Sequence, residues 1–188
     1  MSIKMKHLIC AILCLVTGQE VSSEEKRRLY LGAETQWRKM GYTESANEIF
    51  KNTFPSMHAF GGFKFNEYVG IEGGITLSKN KNTRSGATFS GSHLGVMTFL
   101  PMTEKVQFIA SAGITHVRSV FKMQDGLFRF RISRSAPRFM GGAQYFLTDR
   151  VGLRGSMAWE RTKKLVSKQY KIAPKNTTLY NLGLIVLF

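Results

Sequence analysis

The stretch TTLYNLGLIVLF, residues 177–188, decides how the rest of the chain is read. Tyr180, Leu182, Leu184, Val186 and Phe188 fall on one side of it, with Asn181 and Gly183 on the other. Alternation with period two marks a strand that has one apolar face. Yet the chain carries a formal net charge of +15, and the ends of soluble domains usually fray into polar residues. A strand that finishes on Phe188 therefore needs an apolar medium to face.

The other end of the sequence points to that medium. Lys4 and Lys6 form a basic start, Leu8 to Val16 is an unbroken apolar run of nine residues, and Val16/Gly18 and Val21/Ser23 offer small residues at two −3/−1 pairs. This layout predicts a cleavable signal peptide over residues 1–23, cut after Gly18 or after Ser23. Nine apolar residues are too few to cross a bilayer as a helix. Lipoprotein processing at Cys14 is not expected, because Leu13 stands where that signal wants a small residue. Cys10 and Cys14 are the only cysteines. The expected mature chain, 24–188, is thus without a disulfide framework, a thiol nucleophile or a thiolate metal site. It keeps a net charge of +14, since only Lys4, Lys6 and Glu20 are removed.

Period two recurs throughout this mature segment. Leu29, Leu31, Ala33 and Trp37 oppose Tyr30, Gly32, Glu34 and Gln36; Val69, Ile71, Ile75 and Leu77 oppose Gly70, Glu72, Gly74 and Thr76; Val151, Leu153, Met157 and Trp159 oppose Gly152, Arg154, Ser156 and Glu160. The pattern predicts eight strands, at 28–38, 56–66, 68–79, 88–100, 105–121, 137–147, 151–163 and 177–188. Short connections around NE, PMTEK and TDR alternate with long polar ones around 39–55, 80–87, 122–136 and 164–176. Membrane barrels use strands of about 9–11 residues, with short periplasmic turns and longer extracellular loops. The expectation is an all-β fold: an eight-stranded antiparallel transmembrane up-and-down β-barrel over residues 24–188, preceded by the signal peptide. Both termini then lie on the periplasmic side, and Phe188 sits in the interfacial aromatic girdle.

The stretches GGFKFNEYVGIEGGITLS (61–78) and MGGAQYFLTDRVGLRGSMAWE (140–160) resemble the hairpins of the small eight-stranded outer-membrane barrels, the OmpA/OmpX-like group with a porin-like barrel domain. The terminal Phe188, preceded by apolar residues at alternate positions from Tyr180 through Leu182, Leu184 and Val186, is similar to the signal read by barrel-assembly machinery. The resemblance covers nearly all of 28–188 and implies the bacterial outer membrane as location. It speaks to architecture, because its residues shape strands and bind no ligand.

Register around the tight turns predicts what lies inside. If 65 faces 69, then Lys64 and Glu72 share the inward face as diagonal neighbours. The same logic sets Gln144 opposite Arg154, and Glu34 and Glu160 also point inward. Charge on the lipid face costs about 2–4 kcal/mol at the midplane for Arg or Lys. A polar network of Glu34, Lys64, Glu72, Gln144, Arg154 and Glu160 is therefore expected inside a barrel just wide enough for its side chains. A continuous water pore is not. The glycine doublets lack the spacing of a phosphate-binding loop and fit close strand packing instead.

Positive charge gathers in the connections placed outside. Arg129, Arg131 and Arg134 lie in 118–138, and Lys163, Lys164 and Lys168 in 160–175. Such clusters suit the phosphates of lipopolysaccharide or host surface polyanions. The stretch LFRFRISR could extend strands five and six above the membrane as a ribbon. Nucleic acid is not an expected partner of an exported barrel. His58, His93 and His116 lie on three different strands, without the spacing or carboxylate company of a metal site, and no cofactor is expected. Three functions follow from these features. The first is a non-enzymatic, structural envelope barrel with a plugged or barely conducting lumen, surrounded by outer-membrane lipids and placed by the assembly machinery. The second is an adhesin or opacity-like binding module using basic loops. The third is a lipid A-modifying enzyme, for which only Ser92 beside His93 offers a pair, and no catalytic residue is assigned.

Overall fold

The computed structural model describes residues 28–40, 53–81, 86–123, 128–161 and 176–188. Eight antiparallel strands close on themselves: β1 (Leu29–Met40), β2 (Thr53–Lys64), β3 (Val69–Lys81), β4 (Gly86–Pro101), β5 (Val106–Met123), β6 (Phe128–Phe146), β7 (Val151–Arg161) and β8 (Asn176–Leu187). Each strand pairs with its sequence neighbours, and β8 pairs back onto β1. No unpaired sheet edge is left for lipid to meet, which a β-structure in a bilayer requires. The segments expected as signal peptide and as the second basic loop, with Lys163, Lys164 and Lys168, lie outside the described residues.

Two strands, β2 and β6, depart most from the ranges the sequence pattern predicts, the others by one or two residues at an end. β2 begins at Thr53 and ends at Lys64, because Phe54 faces inward in phase with Ser56, His58 and Phe60. β6 begins at Phe128 rather than near residue 137, paired with β5 from Met123↔Phe128 down to Val106↔Tyr145. Pro137 and the arginines hid this extension from a pattern search. Proline is tolerated where its missing N–H is not needed by a ladder, and above the lipid an outward arginine costs nothing. The LFRFRISR stretch is accordingly strand for residues 128–134.

The three tight turns share one construction. Asn66 Oδ1 accepts from the backbone N–H of Tyr68 (2.8 Å) and Val69 (2.7 Å). The Thr103 hydroxyl oxygen accepts from Lys105 and Val106 (3.3 and 3.0 Å). Thr148 does the same for Arg150 and Val151 (3.3 and 3.0 Å). A short polar side chain thus replaces water as partner for backbone groups at the bend. The terminus is fastened in the same ladder, with the Phe188 N–H donating to the Leu29 carbonyl at 2.8 Å.

Side chains sort by face as the pleat dictates. Leu29, Leu31, Ile71, Ile75, Leu94, Ile114, Phe139, Met157, Leu182 and Leu184 are exposed outward. Tyr180 and Phe188 are exposed on the same face, and Val186 partly so. An apolar exterior on this scale, running round a closed β-barrel, is the surface of a membrane barrel. The inward side chains form the core. Nearest the tight turns it is apolar, and one cluster joins Tyr30, Phe60, Met97, Phe99, Ile109, Met140 and Ile185 to Leu179, which lies nearer the loop end beside Arg38. Tyr30 meets Phe60 and Phe99 edge-on at centroid distances of 6.3 and 6.1 Å.

Candidate functional site

The charged residues of the interior are brought together by the closure of the barrel. Arg154, on β7, is fully buried. Its Nη1 donates to Glu72 Oε2 at 2.6 Å and its Nη2 to Glu72 Oε1 at 3.0 Å, a two-pronged contact with a carboxylate on β3. In a ring of eight strands β3 and β7 are diametrically opposed, so this ion pair crosses the interior. Arg154 Nε lies 3.1 Å from Glu34 Oε1 on β1, Nη2 donates to Met140 Sδ at 3.3 Å, and the guanidinium stacks 4.3 Å above the Phe60 ring. A planar fork suits such a pairing, where lysine could satisfy one oxygen only.

Two histidines complete the arrangement. His58 Nδ1 donates to Glu34 Oε2 at 2.9 Å. His58 Nε2 lies 3.4 Å from His93 Nδ1, and His93 Nε2 stands 3.6 Å from Glu72 Oε1. Glu34, His58, His93, Glu72 and Arg154 thus form a closed circuit drawn from five strands. The imidazoles fit because β3 carries Gly74 beneath them: a Cβ there would lie 2.6 Å from His93 Cε1 and 2.7 Å from His58 Nε2. The expectation that these histidines lack carboxylate company is corrected, since each faces a glutamate on a neighbouring strand. His93 points inward and Ser92 outward, so the two do not form a catalytic pair. Among the described residues no group of three or more His, Cys, Asp or Glu is arranged to hold a metal ion.

Nearer the long loops the interior holds a second ionic group. Glu160 receives Arg138 at 3.1 Å and Arg38 at 3.4 Å, one on each carboxylate oxygen. Between the two groups runs a neutral chain: Gln36 donates to Asn181 at 2.8 Å, Asn181 donates to Ser156 at 2.9 Å, and Ser56 donates to Gln36 at 3.0 Å. Phe54, the ladder partner of Arg38, stacks on Phe89 at 5.0 Å.

Of the six interior residues read from sequence, Glu34, Glu72 and Arg154 share the crossing circuit, and Glu160 anchors the second group. Gln144 faces Arg154 across the ladder, but neither amide atom has a hydrogen-bond partner among the described residues. Lys64 does not join Glu72. Gly70 is its direct ladder partner, and its Nζ reaches Gln107 at 3.4 Å and lies 4.5 Å over the Phe99 ring. The reason is geometric: Glu72 is already held two-pronged by Arg154, while Lys64 stands nearer the turns.

Sequence reasoning missed Arg38, Arg138, His58 and His93 as interior partners. The signal for His58 was its phase with Phe54, Ser56 and Phe60. For Arg138 it was its phase with Met140 and Gln144. At the loop end Arg131 is exposed on the exterior, whereas Arg134 is half-buried in phase with the inward Ala136, Arg138 and Met140, so its placement among outward polyanion contacts is corrected; the Arg129 side chain lies outside the described set.

The sequence matches the family described as outer membrane protein beta-barrel domain over residues 8–183. None of the curated proteins matches it. Among solved structures, the chain is similar to Neisserial surface protein A, with 14% identity, a TM-score of 0.66, and coverage of 85% of this chain and 97% of that one. It is also similar to the attachment invasion locus protein Ail of Yersinia pestis, solved in complex with the heparin analogue sucrose octasulfate, at 14% identity, TM-score 0.56, and 86% and 97% coverage. The N-terminal β-barrel domain of OprF from Pseudomonas aeruginosa gives 12% identity, TM-score 0.58, and 85% and 97% coverage. At these identities the likeness is one of fold. The closed eight-stranded barrel, its apolar exterior and the family match lead to one conclusion: the chain belongs to the outer membrane protein beta-barrel domain family and resides in the bacterial outer membrane.

Proposed function

We propose that this is a non-catalytic barrel that contributes to envelope integrity, with its interior packed shut against solutes. The observation that carries this reading is the Arg154–Glu72 pair, which bridges opposite walls. The neutral chain and the Arg38–Glu160–Arg138 group above it, and the Tyr30–Phe60–Phe99 cluster below, add further layers. Structural use also accounts for the polar interior without a substrate. Conductance of the purified barrel in planar bilayers tests it: the wild type gives no stable channel, and steady unitary conductance overturns the reading. Insertion by barrel-assembly machinery through the Tyr180–Phe188 face belongs to the same proposal.

A second reading is favoured by the exposed arginines at the loop end and by the Ail complex with a heparin analogue. In it, the β5–β6 ribbon and the basic loops engage polyanions, whether lipopolysaccharide or host surface glycans. Salt-sensitive retention on immobilised heparin, lost when Arg129, Arg131 and Arg134 are all changed to Gln, supports it. Undiminished retention in the triple variant excludes it.

A further inference from the structure

The outward face of β4–β6 changes character in a single step. Leu94 pairs with Ile114, and both are exposed as part of the apolar belt. Two residues further from the tight turns, Ser92 pairs with His116 and His116 with Ser135; the next row is Ser90, Arg118 and Ser133. Arg131 follows, opposite Val120. All of these polar side chains except the half-buried Ser90 are exposed. His116 is held upright between two hydroxyls, with Ser133 Oγ 2.8 Å from Nε2 and Ser135 Oγ 3.1 Å from Nδ1.

The surrounding charge is one-sided. Among the described residues, Glu34, Glu72 and Glu160 are buried in the interior, and Glu67, Glu104 and Asp149 lie in the tight turns at the opposite end. The described exterior of the loop end therefore carries Lys39, Arg118, Arg131 and Arg161 with no carboxylate beside them. Two guanidiniums, an imidazole and several hydroxyls are a donor set for a tetrahedral oxyanion.

We propose that this shelf binds the phosphorylated head group of a lipid packed against the barrel. The occupant follows from continuity. Rows two residues apart on a strand stand about 6.6 Å apart, so a lipid whose chain lies on Leu94 and Ile114 carries its head group to Ser92 and His116. Its phosphate then lies within one further row of Arg118. A soluble anion would gain nothing from the belt below, whereas a lipid gains both contacts at once. The proposal deepens the polyanion reading, on which it rests for the cationic character of this end, and it names a site that does not depend on the loops.

The test uses the full barrel in nanodiscs of phosphatidylcholine doped with phosphatidate, with co-purified lipid counted by native mass spectrometry. The wild type retains phosphatidate in preference to phosphatidylcholine. Arg118→Gln and Arg131→Gln each weaken that preference about tenfold, the factor that one charge-assisted hydrogen bond carries. His116→Gln weakens it less, and Arg161→Gln, on β7, leaves it unchanged. Heat-shifted gel migration confirms that each variant is folded. Absence of a preference in the wild type, or a preference untouched by both arginine changes, overturns the proposal. So does equal displacement by millimolar inorganic phosphate, which would reveal a free-anion site. Heparin binding by the wild type is measured in parallel: a wild type that prefers phosphatidate but does not bind heparin overturns the polyanion reading alone, and one that binds heparin without a lipid preference overturns the lipid site alone.

Discussion

Replacing Arg154 by Met removes the charge while leaving most of the side-chain volume, so the loss reports electrostatics more than packing. The guanidinium's two hydrogen bonds to Glu72 and its 3.1 Å approach to Glu34 disappear together. Glu34 keeps His58, and Glu72 keeps His93 at 3.6 Å. Removing one partner of a buried pair costs about 3–5 kcal/mol, because the other charge stays behind without compensation. With a urea slope of about 2 kcal/mol per molar, the unfolding midpoint in lipid vesicles falls by about 2 M. Fluorescence of Trp37 and Trp159 on the barrel exterior follows the transition. Glu72→Gln in the same chain removes the stranded carboxylate and restores about 2 kcal/mol, the size of coupling expected between contacting residues. Arg154→Lys falls between wild type and Arg154→Met, since an ammonium cannot engage both carboxylate oxygens in plane. A loss below about 1 kcal/mol for Arg154→Met, or no recovery in the double variant, would refute the view that this bridge holds opposite walls together.

Position on the lipid face sets the cost of a charge. Val96→Arg, mid-belt on β4, destabilises by about 2–4 kcal/mol in a refolding titration, and Ser92→Arg on the same strand and face by about 0–1 kcal/mol; equal costs would contradict the placement of the belt. Thr148→Ala leaves two turn N–H groups to water and lowers stability by about 1 kcal/mol, with the barrel still showing heat-shifted migration. Phe188→Ala keeps its backbone bond to Leu29, so refolding into vesicles in vitro proceeds at near wild-type yield. Assembly in cells slows, as pulse-chase heat-modifiability would show, and equal slowing in both settings would assign Phe188 to stability rather than recognition.

Facing was legible in the sequence wherever outward residues are apolar, as in β1, β3, β7 and β8, because the alternation is local and lipid demands it. It failed around Ser90 to His93, where the outward residues have left the belt and are polar, so neither face stands out. It also failed along residues 128–136, where a strand beyond the apolar belt carries Arg131 and serines outward. Register around tight turns was legible too: Lys64↔Gly70 and Gln144↔Arg154 are the pairs that short turns impose. Contacts across the interior were not. Arg154 finds Glu72 only through closure of the ring, a property of strand number and stagger, and His58 meets Glu34 as its ladder partner across the long β1–β2 connection, whose register no tight turn sets. The apolar half of the interior stayed hidden for a related reason. Tyr30 and Phe60 read as interruptions in a polar phase until β4 supplies Phe99 and the neighbouring β2 supplies Gly62, which leaves the space that the Tyr30 ring occupies.

Sidedness is most directly measured by methyl NMR of isoleucine-labelled barrel in bilayers carrying spin-labelled acyl chains. Ile71, Ile75 and Ile114 are exposed outward, whereas Ile109 and Ile185 are buried within. The account predicts strong broadening of the first three resonances and sharp lines for the other two. Broadening of Ile109 or Ile185 equal to that of Ile114 would contradict it.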